Sequence, residues 1–197
     1  NDMEAVIATG SDNTARYFDY YFSKYPNIIR KNRTSVAIIN GEESTEDLAN
    51  LGHDIFDYFG LGCRNVSKLF LPVGYELSKI IDQLESFKRI LDHHKYNNNY
   101  FYQKSIFLVD QTIHQDNGFV LFQQNEKLVS PIAVIYYEYY KDIDSLKKKL
   151  LPYQNKIQCV VGNIDAFDKQ VAFGKSQSPG IEDYADNIDT MDFLTKI

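Results

Sequence analysis

Three things are scarce in this sequence, and each scarcity excludes a class of protein. Cysteine is the first: there are two, Cys63 and Cys159, with neither a CxxC pair nor a Cys/His spacing that suits zinc. A small secreted scaffold stapled by disulfides carries more. Two reduced thiols in a cytoplasmic protein are therefore expected, with a single disulfide as the alternative. Basic charge is the second: 21 Lys and Arg stand against 27 Asp and Glu, a net charge of -6. That balance argues against the basic stripe of a nucleic-acid binder. Long apolar runs are the third: none approaches the ~18 residues that a membrane-spanning helix needs. The opening NDMEAVIATG also has neither the basic start nor the apolar core of a signal peptide.

What is present fits a globular chain. Its 197 residues, 44% hydrophobic, suffice for one large domain or one domain with a satellite. Val6 to Ala8 reads as a short strand ending at Gly10, and the aromatics Tyr17, Phe18, Tyr21 and Phe22 recur at helical spacing until Pro26. Ser35 to Ile39 reads as a buried strand closed by Asn40-Gly41. Ser44 and Asp47 form a capping box ahead of the stripe Leu48, Leu51, Ile55 and Phe59. Lys68 to Leu71 reads as a strand and Glu76 to about Lys95 as the longest helix, with Tyr96 to Tyr102 as a loop. Strands are expected at Ile106 to Val109, Phe119 to Phe122, Ile132 to Tyr137 and Ile157 to Val161, with a helix at Ile143 to Leu150. Lys147, Lys148 and Lys149 close that helix, where they complement its dipole. A final strand is expected near Met191 to Leu194. Alternation of helix and strand predicts an α/β protein on a substantially parallel sheet.

Several residues invite a chemical reading. Cys63, in GLGCRNVSKLF, follows two glycines and precedes a strand, a setting that can expose a thiol beside free backbone N–H groups. Arg64 and Lys68 bring positive charge close in sequence. The plain alternative is a small buried hydrophobe, the common fate of a free cysteine. Cys159 lies inside the apolar run IQCVVG and reads as a packed core thiol. His93 and His94 are adjacent, so they face different sides of a helix and read as surface residues near a helix C-terminus. His53 lies ten residues before Cys63, and His114 sits in a polar loop. No Ser-His-Asp or Cys-His-Asn set can be argued. The acidic run DNIDTMD lacks the glycine and terminal glutamate of a calcium loop, and reads as a solvated face; no metal site is expected. ATGS, residues 8–11, ends a strand and opens a helix, which suits a phosphate group only weakly on so short a motif.

Taken in order, these segments resemble the C-terminal half of the aldehyde dehydrogenase superfamily. GLGCRNVSKLF looks like its catalytic-cysteine stretch, ATGS like its turn at the nicotinamide nucleotide, AFGKSQSP (residues 172–179) like its late PFG-type segment, and SPIAVIYYEYYKDIDSLKKKL like its turn-strand-helix. FSKYPNIIRKNRTSVAIING followed by DIFDYFGLGCRNVSKLFLP is similar to the acyl-CoA reductases related to the fatty-acid reductase of bacterial luminescence. The resemblance implies Cys63 as nucleophile, with Gly62, Arg64 and Asn65 supporting the oxyanion, and weaker cofactor contacts at Thr9, Gly10, Ser11 and Phe173. It implies NADPH or NADH as cofactor, an acyl-CoA or acyl-thioester substrate, an acyl-protein synthetase as partner, and a homo-oligomer. It divides the chain into a remnant of a nucleotide-binding domain (1–33), a catalytic domain (34–175) with a largely parallel sheet flanked by helices, and a tail (176–197) carrying an oligomerisation strand.

Two departures shape the expected chemistry. Ile29 and Arg30 stand where the family's water-activating glutamate would be. Lys127, beside Glu126, stands four residues before Pro131, where a ribose-contacting glutamate would be. A site without a water-activating base suits thioester reduction better than hydrolysis. The chain is then expected to be a piece of an acyl-CoA reductase lacking most of the nucleotide-binding domain, in keeping with its abrupt VIATG opening. The alternatives are a non-catalytic interaction module of the same fold, and a cysteine acyltransferase or thioesterase.

Overall fold

A computed structural model describes residues 3–167 and 170–197 of the chain. In chain order its elements are β1 (Val6–Thr9), α1 (Asp12–Phe22), β2 (Asn27–Arg30), β3 (Thr34–Ile38), α2 (Thr45–Phe56), β4 (Val66–Pro72), α3 (Ser78–Gln83), α4 (His94–Val109), β5 (Gln115–Asp116), β6 (Leu121–Gln124), β7 (Val134–Tyr140), α5 (Ile143–Leu150), β8 (Ile157–Val161), β9 (Gln170–Val171) and α6 (Thr190–Thr195). They form two compact units, one of the chain up to Arg33 together with Pro179–Ile197, the other Thr34–Ser178.

The larger unit is a seven-stranded sheet of order β5-β6-β7-β4-β3-β8-β9, parallel throughout except for the β5–β6 pair. The period-two alternation of a strand explains its core. Ala37 on β3 and Ile39 just after it, with Leu69 and Leu71 along β4, join one buried cluster; Val36, Ile38 and Phe70 join another. Helix α2 covers the first face through Leu48, Leu51 and Ile55, and α5 covers the second through Leu146 and Leu150. Burial on both faces is what parallel strands in such sheets show, and β3 and β8 are buried along their whole length, with Thr34, Ser35 and Gln158 among the apolar residues. Ser44 and Asp47 close the capping box at the start of α2, as their spacing predicts. Gly52 in the same helix lets the Phe87 ring lie so close that a Cβ would meet it at 2.1 Å.

The smaller unit pairs β1 with β2 in parallel, with α1 between them in sequence. Ala15 and Ile28 are buried in it, while Ile7, Tyr17, Tyr20 and Tyr21 are exposed. Its tail is tied back by charge: Asp186 accepts from Arg33 at 2.9 Å, and Arg30 donates to Thr190 at 3.0 Å.

Several sequence expectations need correction. Tyr96 to Tyr102 is not a loop, and Ile106 to Val109 is not a strand; both lie in α4. Its start is capped by His93, whose Nδ1 accepts the Tyr96 N–H at 3.2 Å, and burial of Tyr96, Tyr100 and Phe107 outweighs the weak helix propensity of the asparagines. His93 therefore stands at a helix end as expected, closing the three-ten run Glu85–Asp92, and also opens α4, which begins at His94. The long helix expected from Glu76 is broken into α3 and a tighter three-ten run over Glu85–Asp92. Leu84, Phe87 and Ile90 recur every three residues, the spacing that aligns on a three-ten turn. Met191 to Leu194 is helical, because the Asp189 side chain caps α6 by accepting from the Asp192 N–H at 2.9 Å. The acidic run is not wholly solvated either, since Asp186 is 11% exposed and paired.

Candidate functional site

The chain leaves α2 through a short left-handed segment. Tyr58, Phe59 and Gly60 all have positive φ, of 54°, 61° and 71°. Two bulky residues in that region are strained, and such strain persists only where neighbours hold it. Phe59 is held by stacking on His93, with ring centroids 3.8 Å apart. The segment delivers the chain to a tight turn, Gly62–Asn65, closed by the Asn65 N–H donating to the Gly62 carbonyl at 3.0 Å. Cys63 and Arg64 are its two central residues, and Cys63 is exposed. Among the described residues neither central N–H donates to an acceptor.

Asn65 fixes this turn. Its side-chain amide donates to the carbonyls of Asp54, Ile55 and Asp57 at 3.2, 3.2 and 2.8 Å, and its oxygen accepts the Gly62 N–H at 2.8 Å. One buried side chain thus satisfies the carbonyls orphaned at the end of α2 and clamps the turn that follows. With its amide committed in this way, Asn65 positions the turn rather than donating to a substrate. Ser35 on β3 adds a second tie, donating to the Cys63 carbonyl at 3.0 Å while meeting the Cys159 Sγ at 3.0 Å. Cys159 is buried in β8, and burial pushes its thiol pKa up. The turn stands at the amino end of β4, the end opposite the one where open parallel sheets usually bind ligands.

A third tie comes from the AFGKSQSP segment. Asp54 on α2 is fully buried, and its carboxylate accepts the Gly174 and Ser176 N–H groups at 2.6 and 2.9 Å. Burial pushes its pKa up, against these hydrogen bonds and the nearby His53. Gly174, at φ 75°, passes so near α2 that a Cβ would lie 3.0 Å from Asn50. Arg64 donates through Nε to the Ser176 carbonyl, so the residue after Cys63 is anchored to the same segment. Phe173, a candidate cofactor contact from the sequence, is 4% exposed and packs into the core cluster with Leu51 and Ile55.

The other candidates lie elsewhere. Lys68 does not direct charge toward Cys63: its ammonium is buried and donates to the Asn125 carbonyl at 2.9 Å and to Glu138 at 2.8 Å. Burial pushes its pKa down while Glu138 opposes the shift. Lys149 reaches the same Glu138 carboxylate. His53 bonds Asp57 at 3.2 Å and meets the Phe87 ring, and His114 bonds the Thr112 carbonyl, so neither is engaged with Cys63. Thr9, Gly10 and Ser11 belong to the smaller unit. Thr9 and Ser11 are exposed, and Ser11 caps α1 by accepting the Thr14 N–H at 3.2 Å. Among the described residues there is no cluster of potential metal ligands and no helix long and apolar enough to cross a membrane. Asp54 escaped the sequence reading, although it sits one turn from Leu51 on the buried face of α2, where an unpaired carboxylate is costly.

No protein-family model matches the sequence, and no curated protein matches it. Solved structures do match. The indole-3-acetaldehyde dehydrogenase AldA of P. syringae, in complex with NAD+ and IAA, superposes with a TM-score of 0.62 at 11% identity, over 85% of this chain and 41% of that one. Staphylococcus aureus AldH, in a substrate-bound state, gives 0.62 at 11% over 86% and 46%. The NAD+ complex of a Bacillus cereus aldehyde dehydrogenase gives 0.58 at 12% over 81% and 39%. The chain thus spans less than half the length of these dehydrogenases. Its α/β architecture, a largely parallel sheet flanked by helices, has the fold of the corresponding part of an aldehyde dehydrogenase.

Proposed function

We propose that the chain is the cysteine-bearing portion of an enzyme that reduces an acyl thioester, of the acyl-CoA class, to the aldehyde. The observation that carries this reading is the exposed Cys63 at the centre of a turn clamped by Asn65, Ser35 and Arg64, on a fold shared with NAD+-bound dehydrogenases.

The Cys63 thiolate attacks the thioester carbonyl, the bond from that carbon to the CoA sulfur breaks, and CoA leaves as its thiol after taking a proton. The acyl group remains on Cys63. The carbonyl oxygen gains negative charge at the attack, and the unengaged N–H groups of Cys63 and Arg64 are the donors at hand. Asp54 acts at one remove, by holding the Gly174–Ser176 backbone to which Arg64 is anchored.

The residues that would hold a nicotinamide nucleotide, NADPH or NADH, are Thr9, Gly10 and Ser11 at the N-terminus of α1, of which Thr9 and Ser11 are exposed. Phe173, being in the core, does not extend that set. When bound, the nicotinamide supplies the hydride that turns the acyl group into the aldehyde. No carboxylate activates water in this reading, because the resemblance puts Ile29 and Arg30 where that glutamate would stand; within β2, Arg30 lies 3.9 Å from Asp186. Reduction is thereby favoured over release of an acid. An acyl-protein synthetase supplying the acyl group and a homo-oligomeric assembly complete the proposal.

Intact-mass spectrometry after incubation with a long-chain acyl-CoA tests it. The wild-type chain is expected to gain one acyl mass, and Cys63→Ser none. An equal adduct on the variant overturns the role of Cys63. Acid release without cofactor would favour a thioesterase instead.

A further inference from the structure

On the sheet face remote from α2, a cleft of about 390 Å³ opens between the C-terminal end of α5 and the start of β8. That volume lies within the range of small-molecule sites, about 300–1,000 Å³. Leu150, Leu151, Ile157, Val160 and Phe167 wall it, and the exposed Lys147 stands beside them. Leu151 is 64% exposed, so an apolar side chain faces the cleft rather than a neighbour in the core. Apolar walls of this kind lose their dispersion partners when nothing fills the space.

Among the described residues that line the cleft, Lys147 is the one that carries charge. Of the three lysines in the last turn of α5, Lys149 is engaged with Glu138. The Lys147 ammonium lies 6.0 Å over the Phe167 ring, and among the described residues it pairs with no carboxylate. Lys148 and Lys156 are exposed nearby in sequence, and among the described residues the neighbouring acids Asp144 on α5 and Asp165 before Phe167 are exposed as well. A cation over an aromatic ring next to an aliphatic trough is the arrangement that receives a negative head on an apolar tail.

We propose that this cleft binds a single-chain aliphatic carboxylate, its tail along Leu150, Leu151, Ile157, Val160 and Phe167 and its head at Lys147. The site is separate from the Cys63 turn and stands whether or not Cys63 is a nucleophile.

Calorimetric titration of the chain with dodecanoate, below its micelle concentration, is expected to give saturable one-to-one binding. Dodecyltrimethylammonium, with the same tail and a positive head, is expected to bind at least tenfold more weakly. Lys147→Gln is expected to weaken dodecanoate tenfold or more while leaving dodecan-1-ol unchanged, and Lys147→Arg to restore it. Leu151→Trp, at an exposed position that folding tolerates, is expected to fill the cleft and abolish binding of both. Cys63→Ser is expected to leave dodecanoate affinity unaltered, so that failure of the thioester reading and failure of this one are told apart. The proposal is overturned if dodecanoate does not saturate, if the cationic amphiphile binds equally well, if Lys147→Gln and Leu151→Trp bind like the wild type, or if Cys63→Ser abolishes binding.

Discussion

The two units of this chain use the same β-α-β vocabulary and reach different degrees of consolidation. In Thr34–Ser178, strands β3 and β8 are buried along their whole length, because helices close both faces of a seven-stranded, largely parallel sheet. In the smaller unit, β1 alternates between half-buried and exposed positions, β2 buries only Ile28, three tyrosines of α1 face outward, and arginines on Asp186 add to the cohesion. Parallel strands gain stability from being covered on both sides, and two of them cannot build a core that does so. Apolar burial therefore dominates one unit, and charge pairing supplements it in the other.

Mutation can sharpen that contrast. The largest effect is expected from Leu69→Ala, at a fully buried position of β4: a loss of about 2–5 kcal/mol in urea unfolding of the larger unit. Ile7→Ala, at a 46% exposed position of β1, is expected to stay within about 0.5 kcal/mol. A similar response at the two positions would erase the distinction.

Next in size is Asn65→Ala. It leaves three carbonyls of the α2 terminus without their donor, at about 2–3 kcal/mol, and frees the Cys63 turn. Slower alkylation or acylation of Cys63 in a variant that remains folded is the expected companion. An unchanged rate would show that the turn holds without its clamp.

Asp186→Ala should cost about 1–2 kcal/mol, confined to the smaller unit. Hydrogen exchange is the measurement: amides of β2 and α6 are expected to exchange faster, with β3 and β8 unaffected. Acceleration across both sheets would mean that the units unfold together.

The smallest effect is one of pH. Burial pushes the Glu138 carboxyl up, but hydrogen bonds from Lys149 and Lys68 outweigh it and hold the pKa below its ordinary value of 4.5. Asp116 is held low in the same sense, by Lys104, Gly118 and Tyr100 working against burial. A lowered carboxylate stabilises the fold above its unfolded pKa, and that contribution is lost as pH falls through the folded value. Asp54 runs the other way: its raised pKa makes the folded state take up a proton first, offsetting part of the acid loss. Glu138→Gln is therefore expected to flatten the decline of stability below about pH 4.5 in an acid titration followed by circular dichroism. An unaltered slope would remove Glu138 from the account.

The strands that proved buried were legible because continuous apolar runs such as SVAII and IQCVV have few other uses. The capping box of α2 was legible because it is local, a serine and an aspartate three residues apart. α4 was not: its asparagines favour a loop, and its helicity rests on Tyr96, Tyr100 and Phe107 reaching a core assembled from distant strands. α6 shows a different failure, in which an apolar run too short to distinguish strand from helix was decided by the cap at Asp189. At the candidate site the sequence singled out Cys63 and Arg64. It gave no sign that Asp54 and Ser176 would meet across 122 positions, or that Phe173 would turn into the core.

By itself, then, the sequence determined the alternating helices and strands, the parallel character of the sheet, and the glycine-preceded turn carrying Cys63, because each depends on residues within a few positions of one another. Tertiary structure alone decided that Asn65 serves as the cap of α2, that Lys68 is consumed by Glu138, and that an apolar cleft opens beside Lys147. Each of those depends on which polar group or void lies opposite once the sheet is assembled, and no local pattern encodes that.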